Sequence, residues 1–297
     1  MKSDQAAPST ITQGPDLQYL RKQVTQIVSQ VVVYLLVGVM GVLMAAPFVW
    51  MISTSFKTYE QVFVWPPEWI PRPWVWENYP NAMRAAPFAR YYLNTFIMAL
   101  GVVVGRLMVC MLAAYSLGRL NYPGRNLVFA LLVSTMMLPD QVTLVPLFLI
   151  TKKLGWLNSY QGLIVPNLVS AYNIFFLRQF FRTIPKDLDD AARIDGAGQV
   201  RTLLSIILPL STPALTVVTL FSFTSAWGSF LWPLIVTTRS EMRTIEIGMA
   251  FFADAHGGIE YPMLMAANTV ALLPVAAVFI LAQKNFVKGI ALTGIKG

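Results

Sequence analysis

The sequence predicts an all-α integral membrane protein with six transmembrane helices and a helical cytoplasmic loop. Three observations predict it. Of 297 residues, 56% are apolar and only 12% are charged, about half the charged share of an ordinary soluble domain. Apolar runs of about 20 residues recur, the helical length that crosses a bilayer core. The lysines and arginines fall almost entirely in short segments between those runs, as topogenic charge does. Mean hydropathy is +0.59. The net charge of +8 therefore needs no nucleic-acid partner. One cysteine, Cys110, and one histidine, His256, build neither a disulfide framework nor a metal site within one chain. Cys110 reads as a small apolar residue inside a span.

The expected spans are 31–52, 92–117, 127–150, 160–181, 212–236 and 263–283. The preceding segment 1–30 is polar and is assigned to the cytoplasm. Val31 to Ala46 resembles a signal-peptide core ending in small residues. The apolar run continues through Ile52, so an uncleaved first span fits better. With the N-terminus inside, inner segments hold thirteen basic residues and outer segments eight, with Arg106 in a span. That bias places both termini in the cytoplasm. The basic tail 285–297 either touches a cytoplasmic partner or is a solvated end carrying orientation charge.

The first outer loop, about 53–91, holds Trp65, Trp69, Trp74 and Trp76 among six prolines. The prolines exclude a regular helix. Tryptophans beside a bilayer anchor at the headgroups. The second reading is a surface that meets an extracytoplasmic protein or ligand.

The loop 183–210 reads as two short helices. Pro185 suits a first helical position. Asp187, Asp189 and Asp190 complement the dipole of the first turn. Asp189 and Arg193 stand four apart, acid first, the favourable order. Leu188, Ala191, Ala192 and Ile194 supply apolar and small side chains. Gly196 suits a positive-φ cap. A second helix, 197–207, should stop before Pro209. An ordinary amphipathic surface helix is the plainer alternative.

This loop resembles the coupling loop of bacterial ABC-importer permeases. The family pattern is Glu-Ala-Ala, three residues, Gly, nine residues, Ile-x-Leu-Pro. Here Asp190-Ala191-Ala192, Gly196 and Ile206-Ile207-Leu208-Pro209 keep every spacing, with Asp190 in place of Glu. Tyr91 to Thr95, Ala113 to Arg119, Leu138-Pro139, Val145 to Leu147 and Arg182 to Pro185 are also similar to the family. Phe230 to Leu234 and Met242 to Thr244 resemble its carbohydrate branch, the maltose-type and glycerol-phosphate-type permeases. That branch often has Trp-Asn followed by an acid, where this chain has Trp227-Gly228-Ser229.

The resemblance implies a first helix and outer loop over 31–91, then a five-helix core over 92–284. It implies an inner-membrane heterodimer with a second permease, two ATPase subunits and an extracytoplasmic substrate-binding protein. ATP and Mg would be bound by the ATPase subunits, and this chain would hold no cofactor. Asp190, Ala191, Ala192, Asp195, Gly196, Ala197, Ile206, Leu208 and Pro209 would then dock the ATPase and perform no chemistry. The solute would be carbohydrate-like. No lysine follows a glycine, so the Gly-Lys of a phosphate-binding loop is absent.

Polar residues inside the spans complete the reading. Arg106 and Asp140 sit at depths of roughly 16 and 20 Å, counted at the helix rise. An unpaired ion there is costly, so they are expected to pair. The rivals are a water cavity for Asp140 beside Pro139 and pairing with the second permease. Asp140 is also the one acid a self-sufficient secondary transporter would use as its ion site. Asn167, Tyr172, Asn173, Ser225, Trp227 and Asn268, with Ser222 and Thr224, suit a passage for sugar hydroxyls and rings. They equally suit helix–helix hydrogen bonding. Pro139, Pro146, Pro166, Pro233 and Pro274 suggest interrupted helices or packing kinks. His256 and Asp254 share an outer loop without partners for catalysis, so no catalytic set is assigned.

Overall fold

The computed structural model describes residues 17–255 and 260–294. His256, the first sixteen residues of the 1–30 segment and the side chains of the 285–297 tail lie outside the described residues. There is no strand among the described residues.

Helix α1 (Leu17–Ser55) is 39 residues long. From Val24 to Val49 its large apolar side chains are exposed. Among the described residues it packs mainly against helix α12 (Tyr261–Gly294), and its buried residues are the last three, Ser53, Thr54 and Ser55. From Val31 to Ile52 the helix is almost entirely apolar, and such a stretch left bare by its own chain suits a lipid surround.

The tryptophan- and proline-rich loop follows α1. Its middle, 63–77, is irregular, but the prolines do not exclude helix from the whole stretch: Pro80 lies in the first turn of the helix Asn78–Ala85. The loop closes on the end of α1, because the Val75 amide donates to the Phe56 carbonyl. The Phe56 ring meets Trp74, Trp76 and Tyr79. Asn78 opens helix α2 (Asn78–Ala85) and donates Nδ2 to the Ser55 and Lys57 carbonyls, 2.9 Å each. Lys57 is buried, with its ammonium 3.7 Å from the centre of the Trp50 ring.

Helix α3 (Phe88–Arg119) is the axis of the molecule. It packs against α6 (Ala171–Thr183) and α9 (Thr212–Trp227). Two buried clusters form at its two ends. One gathers Phe88, Tyr91, Met98, Trp227, Trp232 and Ile245. The other gathers Cys110, Tyr115, Leu177, Phe181, Ile207 and Val218.

Several expected spans are interrupted. The 127–150 run is two helices, α4 (Arg125–Thr135) and α5 (Asp140–Lys153), bent by 100°. Pro139 is the cause: it has no N–H, and its ψ of 137° is extended. The 160–181 run is a short helix, Tyr160–Ile164, a 3₁₀ turn at Val165–Asn167 containing Pro166, and then α6. The 212–236 run breaks after Trp227 and resumes as α10 (Leu231–Val236). Pro146 and Pro274 lie inside continuous helices.

By length and composition, three described helices suffice to cross a membrane: Val24–Ser55, Phe88–Arg119 and Tyr261–Gln283. Counting each bent pair as one span raises the number to five.

Candidate functional site

The loop 183–210 folds as two short helices, α7 (Asp187–Ile194) and α8 (Gln199–Leu210). Pro185 lies before α7 and not at its first position, because Lys186 occupies the cap. The Pro185 carbonyl is used instead, accepting a bond from Arg119.

Gly196 closes α7 with φ +76°. The Ala197 amide donates to the Ala192 carbonyl at 2.8 Å and the Gly196 amide to Arg193 at 3.0 Å. These two bonds define a Schellman cap. A Cβ at 196 would meet nothing within 4 Å, so only the backbone angle demands glycine here.

Helix α8 does not stop before Pro209. A π turn spans Leu203–Ile207, and its closing bond runs from the Leu208 amide to the Leu203 carbonyl. The helix then continues through Pro209 to Leu210. At Ser211 the chain turns by 83° into α9. The buried Ser211 hydroxyl donates to the Ile207 carbonyl at 2.7 Å.

The outward face of this unit is bare and mixes apolar side chains with the charged Lys186, Asp187, Arg193 and Arg201. Leu188, Val200 and Leu204 are exposed, and Ile194 is 87% exposed. Asp190, Ala191, Asp195, Gly196 and Pro209 share that exposure. Ala192 is buried, while Ala197, Ile206 and Leu208 are half-buried.

The inward face is held by residues the sequence reading did not single out. Arg119, at the end of α3, has a side chain only 2% exposed. Its Nη1 donates to the carbonyls of Phe181 (3.0 Å) and Ile184 (2.6 Å). Its Nη2 donates to the Pro185 carbonyl (3.0 Å) and lies 2.7 Å from Asp189 Oδ2. Asp189 thus pairs with Arg119, where helical spacing alone suggested Arg193. One turn earlier, Tyr115 donates its hydroxyl to Gln199 Oε1 at 2.9 Å. Beside them, Arg178 donates Nε to the Leu117 carbonyl and lies over the Phe129 ring. The available signal was a basic residue closing an apolar run next to a tyrosine four residues back.

The intramembrane pair does not form. Arg106 donates Nε to the Asn167 carbonyl at 2.9 Å. Asp140 is exposed in the first turn of α5. Among the described residues the ion pair is Arg119–Asp189. Equal depth fixes height in the membrane but not the direction a residue faces, and the bend at Pro139 resets that direction for α5.

The expected passage residues separate into two groups. Trp227 is 3% exposed and donates Nε1 to the Ala271 carbonyl at 3.2 Å. Burial among Phe223 and Tyr92 rings makes it a packing residue of α9 and α12, and this corrects its expected place on the passage. Asn173 is buried and bonds to the equally buried Ser222, joining α6 to α9. The side-chain amides of Asn167 and Asn268 donate to the carbonyls four residues back, Leu163 and Leu264. Tyr172, Thr224 and Ser225 are exposed. On α9 the exposed stripe is Phe221, Thr224, Ser225 and Gly228, which share a face by helical spacing.

Asn94, within the Tyr91–Thr95 stretch, is fully buried. Its Nδ2 donates to the Glu241 and Arg243 carbonyls, and its Oδ1 accepts from Tyr160. The Thr95 hydroxyl accepts from the Ile245 amide, the start of helix α11 (Ile245–Ala255). This stretch therefore pins the 240s segment onto α3.

Comparison with known proteins places this architecture. The chain is 36% identical over 265 residues to the sn-glycerol-3-phosphate transport system permease protein UgpE of Yersinia enterocolitica, covering 87% of this chain and 94% of that one. It is 35% identical over 272 residues to the trehalose/maltose transport system permease protein MalG of Thermococcus litoralis, covering 89% and 97%. Its fold matches a chain of the crystal structure of a bacterial ABC transporter involved in import of the acidic polysaccharide alginate. There the TM-score is 0.77 at 22% identity, covering 88% of this chain and 98% of that one. Residues 107–292 match the family of binding-protein-dependent transport system inner membrane components. With its bare helical loop, its bilayer-length apolar helices and this match over most of its length, the chain belongs to that family of membrane transport permeases.

Proposed function

We propose that this chain is one half of the pathway of an ATP-driven importer and that α7 and α8 dock a separate ATPase. The observation that carries this is the two-sided loop: a bare outer face with Ile194 at its tip among charged neighbours and an inner face tied to α3 by Arg119. A docking element needs both an open surface and a firm root. Six spans with both termini in the cytoplasm put this loop on the ATPase side. The bent α4–α5 pair and the interrupted 160–183 segment count as one span each in that arrangement. The other partners are a second, similar permease, a second ATPase and an extracytoplasmic substrate-binding protein. The ATPases bind ATP and Mg.

The solute is a sugar or sugar-like molecule, as the names of the relatives suggest. The exposed Tyr172, Thr224 and Ser225 offer a ring and hydroxyls to such a solute. A self-sufficient secondary transporter built on Asp140 is not what this family contains.

Purification of the tagged chain from its native membrane tests the reading. An ATPase and a second permease should accompany it, and uptake by the reconstituted complex should require ATP. Uptake by the chain alone without ATP would overturn it.

A further inference from the structure

We propose that Arg119 and Asp189 form a transmission strut, the buried contact that passes movement of the α7–α8 unit into α3. The proposal rests on the docking role given above and names the residues that make it effective.

Tyr115 and Arg119 stand four apart, on one face of the last turns of α3. Each holds a different arm of the loop. Arg119 holds α7 through Asp189, and Tyr115 holds α8 through Gln199. Two attachment points, one per arm, resist rotation of the loop about α3 as well as separation from it. A single contact would resist only separation.

The guanidinium does more than pair a charge. It also binds the carbonyls of Phe181, Ile184 and Pro185. These are the residues where the chain leaves α6 and approaches α7. One planar fork thus locks the hinge between a membrane helix and the loop. Lysine would carry the charge without that geometry. At the other end of the loop, the 83° turn at Ser211 is held by its hydroxyl on the Ile207 carbonyl, and Leu203 and Ile207 pack in the cluster of Tyr115. The strut is the polar route by which a push on the bare outer face reaches α3 from the α7 side.

The fit is tight but incomplete. Arg119 Nε and Asp189 Oδ1 are buried and make no hydrogen bond in this chain. Both residues line a cavity of about 10 Å³ with Tyr115, Arg193 and Gln199. A buried pair that is not fully satisfied contributes little to stability for its own sake.

The test uses the complete importer in liposomes, with ATPase, second permease and binding protein. Hydrolysis and uptake are measured together for Asp189→Asn, Arg119→Lys and Asp189→Glu. The strut predicts that the ATPase stays bound and ATP hydrolysis stays within about twofold. Uptake per ATP should fall about tenfold for the first two, in the range of site–site couplings, and recover partly for Asp189→Glu. Native uptake per ATP in assembled Asp189→Asn would overturn the strut while leaving the docking role intact. So would a parallel fall of hydrolysis and uptake, the mark of a merely structural residue. If Asp189→Asn does not assemble, Tyr115→Phe carries the test. It should lower uptake per ATP about fivefold, the weight of one neutral hydrogen bond, and a native ratio there overturns the proposal. Absence of any ATPase with the native chain would sink the docking role, and the strut with it.

Discussion

The ring of Tyr91 fills the space that a side chain at Gly248 would need. A Cβ built at 248 would overlap Cδ2 of that ring. Tyr91 cannot swing away, because it is buried and its hydroxyl lies 3.1 Å from Ser240 Oγ. Helix α11 approaches α3 closely only because residue 248 has no side chain. Gly248→Ala should therefore destabilise the chain by about 1–3 kcal/mol, as overpacking does. Thermal unfolding of the detergent-purified protein checks this, and an unchanged midpoint would mean that α11 can shift.

Gly196 makes the opposite case. It has space but a positive φ. Gly196→Val should cost roughly 1–2 kcal/mol locally, with global unfolding little changed because the turn is exposed. Gly196→Asn should cost less, since Asn tolerates this conformation. The readout is retention of the ATPase on a tagged chain. Equal retention by both variants would show that the turn angle is irrelevant to docking.

Trp227 and Ser225 should differ in kind. Trp227→Ala removes a buried ring and its bond to Ala271, at a cost of about 3–5 kcal/mol. Its signature is less folded permease. Ser225 is exposed, so Ser225→Ala should leave folding alone. Its half-saturating solute concentration should rise by about two- to tenfold, the scale of one lost hydrogen bond. A change in that concentration for a folded Trp227→Phe and none for Ser225→Ala would reverse the assignment.

Lys57 supplies a pH dependence. Burial lowers its pKa below the ordinary 10.5, only partly opposed by Glu68. Its ammonium makes no hydrogen bond in this chain. Between the lowered folded value and the ordinary one, the unfolded chain holds more protons. Stability should therefore rise with pH across that window. Lys57→Met keeps the stem over Trp50 and removes the charge. It should raise the unfolding midpoint at neutral pH and flatten the alkaline rise. A lower neutral midpoint would show that the contact with the Trp50 ring outweighs desolvation.

Local punctuation was legible in the sequence and long-range pairing was not. Gly196 announces its cap because few other residues take its φ. The acids of α7 announce a helix start. The partners of Arg119 lie 62 to 70 positions away on other elements, and no spacing rule reaches that far. By sequence Arg119 reads as orientation charge and as the end of a family-like stretch, with no partner named. The Arg106–Asp140 pairing failed for the same reason: rise per residue gives depth, while facing direction depends on the bends. Trp227 was misplaced because an aromatic ring suits both a sugar and a core.

The π turn at Leu203–Ile207 has a consequence for the tolerance of this loop to length changes. A π turn holds one residue more than an α turn. Deleting one residue there would restore an ordinary helical ladder while leaving Gln199 and Val200 on their present sides, because the π turn takes up its extra residue within the turn. Pro209 would also lose the widened turn upstream of it and press on the carbonyl four residues back. Homologous loops should therefore keep their residue count, and single-residue insertions or deletions between Gly196 and Pro209 should be purged.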